Sequence, residues 1–186
     1  MMTTQQTATL NGWDVAQFEE TIETVRQQPE AGLLTWRNHV DWDDRFATDA
    51  RTDESEHLGQ SMPRKFTLRG DHPPELLGDN TGPTAVEALL AALGSCIAGT
   101  YAAHATARGI EIEALRVDLE ARIDLAGLFQ LRPVDAGLTD LGVTVRVKSD
   151  AGDAELRELL EITRRASPVF DTVARPVRVE AHVTRS

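Results

Sequence analysis

The chain has 186 residues, of which 41% are hydrophobic and 26% are charged. This composition is ordinary for a globular protein, and the length is sufficient for a sizeable core. Thirty acidic and nineteen basic residues give a net charge of −11, which repels nucleic-acid phosphates and anionic membrane surfaces. We therefore expect neither nucleic acid nor a membrane as a partner. The single cysteine, Cys96, excludes an intramolecular disulfide and a multi-cysteine metal cluster within one chain.

The N-terminus is polar and has no basic start followed by an apolar stretch, so we expect no secretory signal and a cytoplasmic protein. The longest uncharged stretch, residues 88–103, is shorter than a membrane span of about 20 residues and consists mostly of alanine and glycine. It is more typical of a buried helix in a soluble protein.

The first half of the chain predicts one helix and three strands. Apolar residues at helical spacing indicate an amphipathic helix over residues 13–27, closed by Pro29: Val15, Phe18, Ile22 and Val25. Strands are expected at 33–42 and 45–50, around the turn-like pair Asp43-Asp44, and at 64–70. The polar segment 51–60 is expected to be a loop, and the proline and glycine residues of 72–83 indicate an irregular linker.

A long helix is predicted from Thr84, its candidate cap, to about residue 108, with Gly109 ending it. Its apolar residues surround the axis, which is typical of a helix buried on most sides. Alternating residues predict antiparallel strands at 112–124 and 141–148, joined by a long connection, and a last strand at 177–183. Helices are expected at 152–165, capped by Ser149 or Asp150, and at 168–174, with Ser167 as N-cap. The order of elements is that of an α+β fold.

Cys96 lies in the middle of the long helix, where the alternatives are a core residue and a reactive thiol. Glu87 is the only charged residue in this helix before Arg108. It is either a buried carboxylate that needs a partner such as an arginine, or a first-turn carboxylate that interacts with the helix dipole. His104 lies about 12 Å beyond Cys96 along the axis, too far for direct proton transfer, and is expected to be a core histidine. We find no metal-ligand spacing and no phosphate-binding or calcium-binding loop, and we expect no cofactor.

Residues 82–96 read GPTAVEALLAALGSC. This segment resembles the G-P-x-x-x-E-x-L-L-A-A-L-G-S-C motif of the OsmC/Ohr family, the osmotically inducible and organic hydroperoxide resistance proteins. Residues 107–110 and 167–171 resemble the same family. The resemblance extends over roughly residues 33–184, so we divide the chain into an N-terminal extension with an amphipathic helix, 1–32, and an OsmC-like domain, 33–186.

The resemblance implies an intertwined homodimer in which antiparallel sheets surround the long central helix. It also implies that Cys96 is the thiol that attacks a small organic hydroperoxide, and that Glu87 positions an arginine that activates the thiol. Arg45, after the predicted turn, matches the family arginine best and Arg37 is the second candidate. Each of the two arginines could instead be a solvated charge on a strand.

Ser167 stands where the family usually carries its second cysteine. A serine can cap the following helix, and its hydroxyl could also bind an oxidised Cys96 or a substrate, but it cannot close a disulfide. We therefore expect a one-cysteine peroxidase that depends on an external thiol reductant. The alternatives are a non-catalytic redox sensor, a protein that binds a small apolar ligand on the same scaffold, and a silent protein in which Cys96 only packs.

Overall fold

The structure is a computed structural model that describes residues 8–185. The chain divides into two compact units, residues 1–91 and 92–186. Each unit contains an antiparallel sheet, and one long helix begins in the first unit and ends in the second. The predicted α+β class is confirmed. Residues 1–7, which belong to the polar N-terminus discussed above, lie outside the described residues.

The N-terminal helix of the first unit is confirmed and is preceded by a short hairpin that the sequence did not predict. Strands β1 (Thr9–Leu10) and β2 (Trp13–Asp14) pair antiparallel and lead into helix α1 (Val15–Gln27). Asp14 caps α1 by accepting a hydrogen bond from the Gln17 N–H at 3.2 Å. No residue of α1 is fully buried, so its apolar stripe is only partly covered. A 3₁₀ turn, Pro29–Gly32, follows.

The four-stranded sheet of the first unit is larger than predicted. Strands β3 (Leu34–Trp36) and β4 (His39–Asp44) pair with opposite ends of β5 (Ala47–His57), and β6 (Gln60–Gly70) pairs with the other edge of β5. The expected loop at 51–60 was wrong, because β5 and β6 continue through it and turn only at Leu58 and Gly59, which have φ of 50° and 73°. Two successive residues with positive φ are typical of a tight hairpin turn.

The two faces of this sheet differ in chemistry. Cross-strand register places four large apolar residues on one face: Val40, Trp42, Phe66 and Leu68. The opposite face carries ion pairs between strands. Arg51 pairs with Asp41, and Arg69 pairs with Asp49 on the neighbouring strand β5 and with Asp43 on β4, beyond it. The apolar residues are between 49% and 72% exposed in the single chain. A sheet normally covers its apolar face, so this exposure is unusual.

The predicted linker is confirmed as an irregular segment that contains only a short 3₁₀ turn, Pro74–Leu76. Its centre is the buried carboxylate of Asp71, which accepts hydrogen bonds from the N–H groups of His72, Asp79 and Thr81 and from the Thr81 hydroxyl at 2.7–3.1 Å. These bonds hold the pKa of Asp71 well below its usual range. The linker is thus an ordered structure organised by one residue.

Helix α2 (Ala85–Thr106) follows the linker, and Gly109, with φ of 70°, ends its last turn. By length and composition alone α2 could cross a membrane, but the core helix of a soluble protein meets the same criteria. Its C-terminal part supplies Tyr101 and Ala105 to the buried core of the second unit, together with Ile110 and Leu159. The Tyr101 hydroxyl donates to the Leu156 carbonyl at 3.1 Å.

The remaining elements of the second unit agree with the predicted order. Strands β7 (Ala114–Ile123) and β8 (Leu138–Lys148) pair antiparallel, with a short helix α3 (Leu125–Leu128) in their connection. Helices α4 (Asp153–Ala166) and α5 (Pro168–Ala174) follow. The N-cap of α4 is Gly152 and not Ser149 or Asp150; the Ser149 hydroxyl instead donates to the Glu111 carbonyl.

The prediction of a last strand at 177–183 was wrong. This segment belongs to no strand of the described chain, and Val177, Val179 and Val183 are exposed. Alternating valines favour extended backbone, but a strand also needs a neighbour that accepts its hydrogen bonds. Within the described residues of this single chain the segment has no such neighbour.

Candidate functional site

Cys96 is a free, half-buried cysteine in α2. Its helical neighbours Leu93 and Ile97 are buried, whereas Ser95 is exposed. The sulfur therefore lies at the boundary between the core and the surface of the second unit. A partly exposed thiol can be reached by small reagents, which a fully buried core cysteine cannot.

A side chain of strand β7 packs against the helix turn that carries Cys96. A Cβ added to Gly94 would lie 2.8 Å from the Leu119 side chain, closer than real Cβ contacts come. The contact is with Cδ1, the far end of the Leu119 side chain, so a larger residue at position 94 would require this side chain to move.

The Ser167 hydroxyl donates a hydrogen bond to Cys96 Sγ at 3.2 Å. Ser167 is fully buried at the junction between α4 and α5. It is the N-cap residue of α5, as predicted, but its side chain makes no capping hydrogen bond. The structure therefore brings together Cys96 and the serine that stands in the place of the second cysteine, 71 residues further along the chain.

An open cavity of about 230 Å³ lies in the second unit beside the same elements. It is lined by residues of α2, β8, α4 and α5: Ile97, Leu141, Val143, Leu160, Thr163, Arg164 and Phe170. Most of this lining is apolar, with one guanidinium. Since Ile97 follows Cys96 in the helix, the cavity lies next to the turn that carries the sulfur.

Glu87 forms a capping box with Thr84 at the start of α2. The Glu87 carboxylate accepts hydrogen bonds from the Thr84 N–H at 2.7 Å and from the Thr84 hydroxyl at 2.9 Å. The Glu87 N–H in turn donates to the Thr84 hydroxyl at 3.2 Å. These bonds from Thr84 lower the pKa of Glu87. Glu87 is exposed and makes no ion pair with an arginine within residues 8–185.

The two candidate arginines are engaged with other carboxylates of the first unit. Arg45 forms ion pairs with Asp79 and Asp44 and donates to the Leu77 carbonyl at 3.1 Å. These acidic partners raise the pKa of Arg45 further above its usual range. Arg37 pairs with Glu56 at 3.0 Å. The sequence does not predict the partnership of Arg45 with Asp79, because 34 residues separate the two and no local pattern connects them.

His104 is half-buried in α2, and its pKa is lowered by burial and by the nearby charge of Arg108. Both effects favour the neutral ring. In the part of the chain that the structure describes, no group of three His, Cys, Asp or Glu residues is arranged to hold a metal ion.

A four-stranded antiparallel sheet, the β7–β8 sheet and one long apolar helix that carries the single cysteine define a class of small α+β proteins with a thiol on the central helix. The sequence profile of the OsmC-like proteins matches residues 78–182, which is more than half of the chain. The chain therefore belongs to the OsmC-like protein family. The resemblance noted in the sequence is confirmed.

Solved structures agree with this assignment at the level of the fold. An OsmC-like protein from Mycoplasma pneumoniae is 17% identical, with a TM-score of 0.60, and the match covers 75% of this chain and 87% of that one. An organic hydroperoxide resistance protein OsmC from Legionella pneumophila is 15% identical, with a TM-score of 0.53 and coverage of 75% and 88%. Sequence comparison finds no match among curated proteins.

Proposed function

We propose that this protein is a thiol-dependent peroxidase that reduces small organic hydroperoxides through Cys96. The observation that carries the proposal is the half-buried Cys96, whose sulfur accepts a hydrogen bond from the buried Ser167 hydroxyl. Membership of the OsmC-like family supports it, as does the similarity in fold to a protein named for organic hydroperoxide resistance.

The proposed reaction balances with an external thiol as reductant. The Cys96 thiolate attacks the terminal oxygen of the hydroperoxide; the O–O bond breaks, an S–O bond forms, and the alkoxide leaves as the alcohol after taking a proton. One external thiol then condenses with the sulfenic acid, which releases water and forms a mixed disulfide. A second external thiol attacks this disulfide and restores Cys96. In sum, one hydroperoxide and two thiols yield one alcohol, one disulfide and water.

The roles of the charged residues belong to the same proposal. An arginine beside the sulfur would favour the thiolate and polarise the peroxide, with Arg45 as the first candidate and Arg37 as the second. Because Arg45 is bound to Asp79 and Asp44, it would have to exchange these partners to serve the thiol. Glu87 would be the carboxylate that positions the arginine, in addition to its capping of α2.

Stoichiometric oxidation tests the reaction. Treatment with one equivalent of cumene hydroperoxide should add one oxygen, about 16 Da by intact mass, and remove the free thiol. Methionine oxidation gives the same mass, so Cys96→Ser is the matched control, since it keeps all three methionines and loses the thiol. Addition that is absent in Cys96→Ser and reversed by a monothiol supports the proposal. A thiol that stays free after this treatment refutes it.

We further propose that the protein acts as a homodimer. The observation behind this proposal is the apolar face of the four-stranded sheet, where Trp42 is 72% exposed and Val40, Phe66 and Leu68 are also exposed. Monomeric proteins rarely leave such a contiguous patch in water. Light scattering should give twice the 20.4 kDa chain mass, and Trp42→Glu, which places a charge on the patch, should shift the protein towards the monomer. A wild-type protein that is monomeric in solution would refute the proposed homodimer.

The cavity beside Ile97 favours a second function, binding of a small apolar ligand without turnover. Its size suits a ligand of a few carbon atoms. The guanidinium of Arg164, which donates to Glu161, would donate to a polar end group of the ligand. In that case Cys96 would take no part in the function or would act as a redox sensor. Quenching or calorimetric titration with a short-chain fatty acid would detect such binding, and Leu160→Trp, which fills the cavity, should abolish it.

Two broader expectations remain part of the proposal. We propose that residues 1–32 form an extension and 33–186 the OsmC-like domain, because the match in fold to the Mycoplasma pneumoniae protein covers 75% of this chain and α1 has no buried residue. Deletion of residues 1–32 should leave hydroperoxide reduction unchanged, and loss of that activity would contradict the division into extension and domain.

We also propose that the protein is cytoplasmic, because low-molecular-weight thiols are available there as reductants.

A further inference from the structure

Ser167 is held in a fixed position by its own backbone. Its N–H donates to the Thr163 carbonyl at 2.9 Å, and its carbonyl accepts from the Asp171 N–H at 2.9 Å. Pro168 follows directly and disfavours helical geometry at Ser167, whose φ of −75° and ψ of 114° are extended. The side chain therefore leaves the α4–α5 junction in one direction, fixed by both helices.

The direction of the hydroxyl is informative because an alternative partner is available. A serine at an N-cap ordinarily binds an N–H group of the first helical turn, which stabilises a helix by about 1 kcal/mol. Ser167 does not do this, and its hydroxyl donates to Cys96 Sγ instead. Since the residue is fully buried, water does not compete for this donor.

A hydroxyl that donates to sulfur distinguishes between the two forms of the thiol. Hydrogen bonds to a charged acceptor are roughly twice as strong as those to a neutral one, so this bond favours the thiolate over the thiol. The thiolate is the nucleophile in peroxide attack and in alkylation. The contact at 3.2 Å thus bears directly on the reactivity of the sulfur.

We propose that Ser167 is a positioning residue that holds Cys96 in its reactive form and leaves the oxidised sulfur open to an external thiol only. Its role in turnover rests on the peroxidase function proposed above. Ser167 forms no covalent bond and exchanges no electrons in this scheme. The sulfenic acid formed at Cys96 condenses with an external thiol, releasing water, because a serine oxygen cannot provide the second sulfur of a disulfide.

The pH dependence of alkylation tests the hydrogen bond without a hydroperoxide. Ser167→Ala should react with iodoacetamide about tenfold more slowly at neutral pH, while the limiting rate at high pH stays the same. Ser95→Ala is the matched control, because Ser95 is adjacent to Cys96 but exposed. A Ser167→Ala profile within twofold of wild type at every pH overturns the proposal.

A second variant keeps the test decisive if Ser167→Ala folds poorly. Ser167→Cys should form an intramolecular disulfide with Cys96 when one equivalent of diamide is added, so that both thiols disappear and the mass falls by about 2 Da. Retention of both thiols would mean that the side chains do not meet in solution, which also overturns the proposal. Inertness of wild-type Cys96 towards hydroperoxide, combined with a shifted Ser167→Ala alkylation profile, would refute the peroxidase and retain the hydrogen bond.

Discussion

Gly78→Ala should be one of the most destabilising small substitutions in the first unit. An added Cβ would lie 1.9 Å from the His72 carbonyl oxygen and 2.8 Å from Asp71 Oδ1. The first contact is with backbone, so no side-chain rotation relieves it, and the second disturbs the carboxylate that organises the linker. Overpacking of this kind costs about 1–3 kcal/mol and occasionally more, and we expect about 3 kcal/mol here.

For a chain of this length, 3 kcal/mol corresponds to a decrease in Tm of about 6–12 °C. Thermal unfolding followed by circular dichroism measures this directly. Gly137→Ala is the matched control, because a Cβ at Gly137 meets nothing within 4 Å, and we expect no loss of stability there. A Gly78→Ala protein that melts within about 2 °C of wild type would show that the 71–81 segment yields easily, and that the close packing described for it is wrong.

Three further predictions concern stability. Leu159→Ala, at a fully buried core position, should cost about 2–5 kcal/mol in urea unfolding, and a cost below about 1 kcal/mol would contradict the core described above. Thr84→Ala should cost about 1 kcal/mol and lower the Tm by about 2–4 °C, because it removes the capping box of α2; an unchanged Tm would refute this. The pKa of Asp71 is lower in the folded state than in the unfolded state. The Asp71 carboxylate therefore contributes fully to the free energy of unfolding above the unfolded pKa near 4, and this contribution is lost as the pH falls towards the folded pKa. The urea midpoints of wild type and Asp71→Asn should therefore differ by a constant amount from about pH 7 to pH 5, and the difference should decrease below about pH 4. A difference that increases below about pH 4 would contradict the stabilising role of the carboxylate.

The elements that the sequence predicted well are those whose periodicity follows from burial. Strands β7 and β8 alternate because one face packs on the core. Helix α2 could be located from its apolar composition, but the expected burial on most sides is not found in this single chain, where only one stripe is buried: Leu93, Ile97, Tyr101, Ala105 and Thr106. The β5–β6 hairpin was missed because its strands carry polar residues on both faces through 51–61, which removes the alternating pattern. Only Leu58-Gly59 indicated a turn, and an asparagine or aspartate would have been a clearer signal than leucine there.

The candidate site was predictable only in part. The motif around Cys96 and the junction at Ser167 are local patterns, so both residues could be selected from the sequence. The direction of the Ser167 hydroxyl was not predictable, because the choice between a capping bond and the sulfur depends on the packing of α4 and α5 against α2. The partners of Arg45 likewise come from a distant part of the chain.

The hydrogen bonds of Asp71 give the linker an unusual property. Loops generally tolerate insertions because their ends can separate without breaking internal contacts. In this chain the carboxylate joins residues 72, 79 and 81, so residues 71–81 form a closed ring that directly precedes α2. An inserted tag or cleavage site would open that ring. The segment is an ordered spacer between β6 and α2. An insertion within it would break the hydrogen bonds of Asp71 and would disturb the start of the long helix.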